Sequence, residues 1–170
     1  MAKKKIRKVK LASLIVVGEG PIDAAFLSHM KIVYDGRETG QSIRITAGDG
    51  GCPKDVIKSA IQNRQAEYDK KYVLIDSDIT VTDVDFSYAR KNGVNIIQST
   101  PVCLEGMLLE VLGERPARTN QGCKEKLHPK LSGLPTCKHS YAVLFTKKVL
   151  DKSDKVPIIE LKLLMQNKTK

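Results

Sequence analysis

A chain of 170 residues and 18.8 kDa makes one domain that buries roughly 70% of its unfolded surface, so its four cysteines are not needed as staples. With 41% hydrophobic and 28% charged residues, the composition is globular and excludes a largely disordered chain. The 29 Lys and Arg outnumber the 19 Asp and Glu, and a net charge of +10 favours an anionic partner such as nucleic acid or an anionic membrane surface.

The excess charge sits at the two ends. Residues 1–10 carry six Lys or Arg, Lys3, Lys4 and Lys5 among them, and no acid. Residues 147–170 carry seven against Asp151, Asp154 and Glu160, whereas residues 11–146 hold 16 of each sign. Such runs are ordinarily solvated tails, yet basic tails on a neutral body also suit a phosphate backbone. The basic start followed by LASLIVVG has the outline of a secretory signal, but the apolar stretch is short and runs into Glu19 without an A-x-A pattern. The expectation is a cytoplasmic protein with reduced thiols, no membrane span and no membrane partner.

Leu11–Gly18 is a short, nearly continuous apolar run rich in Ile and Val, as in a buried parallel strand. Pro21 then opens a helix with Ile22, Ala25, Phe26, Met30 and Val33 at helical spacing. Ser42–Ala47 alternates as a strand near an edge, and Gly48-Asp49-Gly50-Gly51 is a loop. Pro53 opens a second helix with Ile57, Ala60, Ile61, Arg64 and Tyr68 inward. Tyr72–Ile75 is a strongly apolar strand ending on Asp76-Ser77-Asp78, and a helix containing Phe86 and Ala89 stops at Asn92-Gly93. Val94–Ile97 is the last strand, and Cys103–Leu112 an apolar helix stopped by Gly113. Residues 114–138 read as a Pro- and Gly-rich insertion around a short helix near Gln121–Leu127, followed by helical patterning over Tyr141–Leu150 and Pro157–Met165.

This order predicts an α/β fold of three layers, a mostly parallel, Rossmann-like sheet with helices on both faces. The division is a basic tail at 1–10, an α/β core at 11–113, and an insertion with C-terminal helices at 114–170 completing the same domain. In open parallel sheets the functional crevice lies beyond the carboxyl ends of the strands. Glu19 ends the first strand, Asp76 and Asp78 end the third, Glu105 follows the fourth, and Asp23 faces the same end from the first helical turn. Singly, each is an ordinary first-turn or strand-end acid. Together they form a rim suited to Mg2+, which takes one or two carboxylates plus water and phosphate oxygens.

VVGEGPIDAAFL resembles the first motif of TOPRIM domains, and YVLIDSD their Asp-x-Asp motif. More narrowly, the chain resembles RloB-type proteins, small TOPRIM-like proteins associated with prokaryotic defence and restriction loci. The match rests on GDGGCPKD at 48–55, Tyr68-Asp69, Asp76-Ser77-Asp78, and Pro101-Val102-Cys103-Leu104-Glu105, a near match to a Pro-Cys-hydrophobic-Glu element with Val102 inserted. It spans roughly residues 11–127. Pro21-Ile22-Asp23 departs from it, standing where such chains often have Thr-Glu.

The resemblance implies a TOPRIM core and Mg2+-dependent phosphodiester cleavage of DNA or RNA, with Mn2+ as a substitute. It also implies anti-phage defence beside an ATPase partner of ABC or AAA type, in a homo- or hetero-oligomer. Glu19 is then the general acid/base or a bridging ligand. Asp76 and Asp78 bind metal, Asp23 and Glu105 support, and Arg44 and Lys54 are candidate phosphate contacts beside Lys3, Lys4 and Lys5.

Two rival readings stand beside it. LIDSDIT resembles the Asp-x-Asp-x-Thr motif of haloacid-dehalogenase-like phosphatases, with Asp76 as nucleophile and Asp78 as acid/base, but leaves Glu19 and Asp23 idle. A non-catalytic subunit that binds nucleic acid or a partner is the other. Zinc is not favoured, because Cys123, His128, Cys137 and His139 match no common ligand spacing. Cys52 and Cys103 read as buried small hydrophobes and His29 as a helix-surface residue.

Overall fold

The structure is a computed structural model that describes residues 12–35, 39–62 and 67–168. Four strands form one sheet, β1 (Ala12–Gly18), β2 (Gln41–Ala47), β3 (Lys70–Asp76) and β4 (Val94–Ser99), in the order β2-β1-β3-β4 with every neighbouring pair parallel. Each strand is short and β-branched where it is buried, the composition expected when both faces are covered.

Seven α-helices accompany the sheet among the described residues: α1 (Pro21–Tyr34), α2 (Pro53–Ile61), α3 (Asp83–Lys91), α4 (Leu104–Val111), α5 (Asn120–Leu127), α6 (Lys147–Asp151) and α7 (Val156–Met165). The period-two alternation of β1 sorts them. Ile15 and Val17 pack with Val73 and Ile75 against Val56, Ile57 and Ala60 of α2 and Ala89 of α3. Leu14 and Val16 face the opposite layer, where Phe26 and Met30 of α1, Met107 and Leu108 of α4, and Ile158 and Leu161 of α7 share one larger core. Each such side chain contributes about 1.5–3 kcal/mol by leaving water. Cys123, Leu127, Tyr141 and Phe145 lie in that same core, so residues beyond 113 complete the layer beside α1.

Several expectations are corrected. Helical patterning over Tyr141–Leu150 is broken: a 3-10 turn at Lys138–Tyr141 precedes α6, because the Thr146 side chain accepts from Val149 N–H and starts a new helix. His29 is buried at 3% exposure, since that segment lies over α1 and the Phe145 carbonyl accepts from His29 Nε2 at 2.7 Å. Cys52 is exposed, being the residue that precedes Pro53 and caps α2, whereas Cys103 is buried as expected. Phe86 is 40% exposed. Arg64 lies outside the described residues.

Candidate active site

The chain leaves β1 for β2 on one side and later crosses to β3 on the other, so β1 and β3 flank the switch point of the sheet. Gly18 pairs with Leu74, which sets Glu19 just beyond one strand end and Asp76 at the other. Asp76 N–H donates to Glu19 Oε2 at 3.3 Å and ties the two together.

The sharp turn from β1 into α1 requires glycine at position 18. A Cβ there would lie 2.6 Å from Asp23 Cβ and 2.8 Å from Ala24 N, so only glycine lets α1 turn back across the end of β1. That turn brings Asp23 over the strand end, where Oδ2 accepts from Gly20 N–H at 2.9 Å. Asp76 is fixed from the β4 side. Its Oδ1 accepts from Ser99 Oγ at 2.6 Å and from Leu104 N–H at 2.9 Å. Val102, the inserted residue of the Pro-Cys-hydrophobic-Glu element, has φ +64, and its carbonyl accepts from Asp78 N–H at 2.8 Å. A β-branched residue there stores about 1–3 kcal/mol of strain while pinning the Asp76–Asp78 turn.

Glu19, Asp23, Asp76 and Glu105 line one cavity of about 210 Å3 with Gly50, Asn120 and Lys124. Asp78 lies exposed at its rim and is joined to Asp76 by Asn120, whose Nδ2 donates to Asp78 Oδ2 at 3.0 Å and to Asp76 Oδ2 at 3.3 Å. Glu105, 2% exposed, accepts from His128 Nε2 at 2.9 Å.

The crowding of carboxylates shows in their acidities. Burial, and after it the Asp76 charge, pushes Asp23 up to about 7. Burial also raises Asp76, against the hydrogen bonds from Ser99 and Leu104, and raises Glu19, against the Asp76 N–H. Among the described residues lining the cavity, Lys124 is the one cation, and its charge draws Glu19 back down.

The five predicted acids thus converge, four in the cavity and one at its rim. The predicted cations do not. Arg44 is exposed in mid-strand on β2, paired with Ile15 on the α2 side of the sheet. Lys54 lies 5.7 Å from the Tyr88 ring centroid, and Lys3, Lys4 and Lys5 lie outside the described residues. Asn120, Lys124 and Ser99 are site residues that sequence reasoning did not assign to this chemistry. Thr119, which caps α5 by accepting from Gly122 N–H, was the local signal that a helix begins at Asn120.

A set of four carboxylates facing one lysine is an oxygen-donor, net negative site that fits a hard cation such as Mg2+. Among the described residues no group of three or more His, Cys, Asp or Glu is arranged to hold an ion, and Mg2+ commonly takes one or two carboxylates with water and phosphate oxygens. Cys123, buried with Sγ 3.4 Å from the Ala117 carbonyl, His128 on Glu105, and the exposed Cys137 and His139 do not form a zinc group. Comparison with protein-family models, curated proteins and solved structures gives no match for this chain.

Proposed function

We propose that the chain cleaves phosphodiester bonds of nucleic acid in a Mg2+-dependent reaction at the carboxylate cavity, as a TOPRIM-like protein of RloB type. One observation carries the reading: Glu19 and Asp76 end the two adjacent strands at the switch point and share a recessed cavity with Asp23 and Glu105. Glu19 and Asp76 are the pair that would hold the ion. When bound, Mg2+ supplies positive charge for the attacking and leaving oxygens of a phosphoryl displacement.

The chain's own groups do the rest. Ser99 and Leu104 orient Asp76, leaving Oδ2 toward the cavity and Asn120. Asp23, pushed up to about 7, is able to hold or release a proton near neutral pH. Lys124, the one side-chain cation among the described residues lining the cavity, would meet the phosphate. A phosphatase reading would use Asp76 as nucleophile through Oδ2, but would leave Glu19 and Asp23, which line the same cavity, without a role.

The test is incubation of the purified protein with DNA and RNA, alone and with a co-encoded ATPase, in Mg2+, in Mn2+ and in EDTA. Cleavage confined to the divalent ions, and lost in Glu19→Gln and Asp76→Asn of unchanged thermal stability, is expected. No cleavage under any condition overturns the reading, as does full activity in Glu19→Gln. A phosphoenzyme on Asp76 would transfer the assignment to the phosphatase.

A further inference from the structure

Pro21 lines the carboxylate cavity and also opens a second depression, of about 550 Å3, that continues past Ala24 and Ser28 to Lys138. Ser28 and Lys138 in turn line a third, of about 310 Å3, which reaches Lys31 and ends at Asp35. Each shares residues with the next, so the three depressions lie end to end as a groove along α1. Residues 21, 24, 28 and 31 recur at helical spacing, so its floor is the outward stripe of α1, about 15 Å long from Pro21 to Lys31.

The charges along it change sign. The cavity end is carboxylate, whereas the groove carries Lys138 and Lys31, with Asp35 only at the far end, where it accepts from Thr39 Oγ1. Among the described residues no ion pair engages Lys138. Lys31 donates to the Ile43 carbonyl at 2.6 Å, and its ammonium retains two further donors.

Resting on the nuclease reading, we infer that a single strand of nucleic acid leaves the carboxylate cavity along this groove, its phosphates on Lys138 and Lys31. Asp76 is 8% exposed and Glu105 2%, so a scissile phosphate has to dip into a recess. Base pairing holds a duplex backbone to a fixed helical path, whereas an unpaired strand can bend locally into the recess. Ala24 and Ser28 let the backbone approach closely. Among the described residues no Phe, Tyr or Trp lines the groove and His139 is its one ring, so contact is chiefly through phosphates and largely indifferent to base sequence.

The test measures binding by the full chain, with Ca2+ in place of Mg2+, using fluorescence anisotropy of labelled single strands and duplexes of about twelve nucleotides. Ser28→Trp obstructs the groove, Lys138→Glu reverses its charge, and Lys91→Glu, exposed at the end of α3 on the other face, is the control. Tighter binding of single strands is expected. Either groove variant should weaken it about tenfold, and Lys138→Glu should lower the log–log salt slope by about one. Lys91→Glu should match wild type both in strand binding and in hydrolysis of bis(p-nitrophenyl) phosphate in Mg2+.

Unchanged single-strand binding in Lys138→Glu, or equal affinity for duplex, overturns the inference and leaves the cleavage reading standing. Groove-dependent binding with cleavage undiminished in Glu19→Gln supports the groove and overturns the cleavage reading. Circular dichroism establishes that Ser28→Trp is folded, and Lys138→Glu, a change at an exposed site, carries the test if it is not.

Discussion

The main-chain N–H of Asp76 donates to Glu19 Oε2 at 3.3 Å, so the acid that ends β1 is held by the backbone of the residue that ends β3. Strand pairing alone brings the two ends within about 5 Å laterally. The pairing of Gly18 with Leu74 then decides which residues emerge there. A one-residue slip of β3 against β1 would turn Val73 from the α2 layer to the α1 layer, so the same alternation that fills both cores also fixes the site.

Asp23 gives the first prediction. Burial, then the Asp76 charge, moves its carboxyl from the ordinary 3.8 up to about 7. The folded chain therefore binds this proton more tightly than the unfolded one, and the stability so gained is full below pH 3.8 and lost as pH rises through about 7. That span corresponds to about 4 kcal/mol at most. Asp23→Asn, whose amide oxygen still accepts from Gly20 N–H, should raise Tm at about pH 8 in EDTA, with the gain shrinking toward about pH 5. Thermal denaturation across that range checks it; a gain independent of pH contradicts the assignment.

Strand β3 and its Asp-x-Asp end were legible because an apolar run bounded by acids has one economical solution, a buried parallel strand opening on a crevice. The same holds for Glu19 and β1. Lys124 and Asn120 were not legible, because they reach the cavity from an insertion whose own sequence is polar and poor in large apolar residues. The packing of Cys123 and Leu127 against the α4 layer places them, and that contact is non-local. His29 failed for the same reason: its burial depends on Phe145, 116 residues away. Arg44 and Lys54 carry no signal beyond their sign: Arg44 lies in mid-strand, Lys54 over the Tyr88 ring, and neither lines the carboxylate cavity.

Gly18→Ala is the second prediction. The added methyl would sit 2.6 Å from Asp23 Cβ and 2.8 Å from Ala24 N, both within the first turn of α1. Relief requires α1 to move off β1, at a cost of about 1–3 kcal/mol. The displacement carries Asp23 with it, so Mn2+ affinity, measured by calorimetry, should fall together with Tm. Gly20→Ala meets only Asp23 Oδ2, at 3.8 Å, and should cost less than Gly18→Ala. Equal losses in the two variants would count against the close approach of α1.

His29 supplies a pH effect of the opposite sense. Burial lowers its basicity from the ordinary 6.5, and neutral Nε2–H donates to the Phe145 carbonyl. With the folded pKa depressed, its contribution to stability is full above pH 6.5 and is lost as pH falls through the folded value. His29→Ala leaves that carbonyl unpaired and should cost about 1–3 kcal/mol at about pH 8. Urea denaturation should show the difference between wild type and variant narrowing as the pH drops; a constant difference would mean that His29 does not titrate within the fold.

Lys124 separates a positioning role from a merely structural one. It stands half-buried at the cavity wall, and its charge opposes the burial that raises Glu19. Lys124→Met keeps much of the side-chain stem but removes the ammonium, so two effects should appear together. On the proposed function, cleavage should fall about 100-fold, the loss typical of one charge-stabilising donor. Glu19, no longer drawn down, ionises at higher pH, and the rising limb of the pH–rate profile moves to higher pH with it. Lys124→Arg should restore most of the rate and return the limb toward its original position. A variant that loses rate with its pH profile unmoved would show that Lys124 does not act on Glu19.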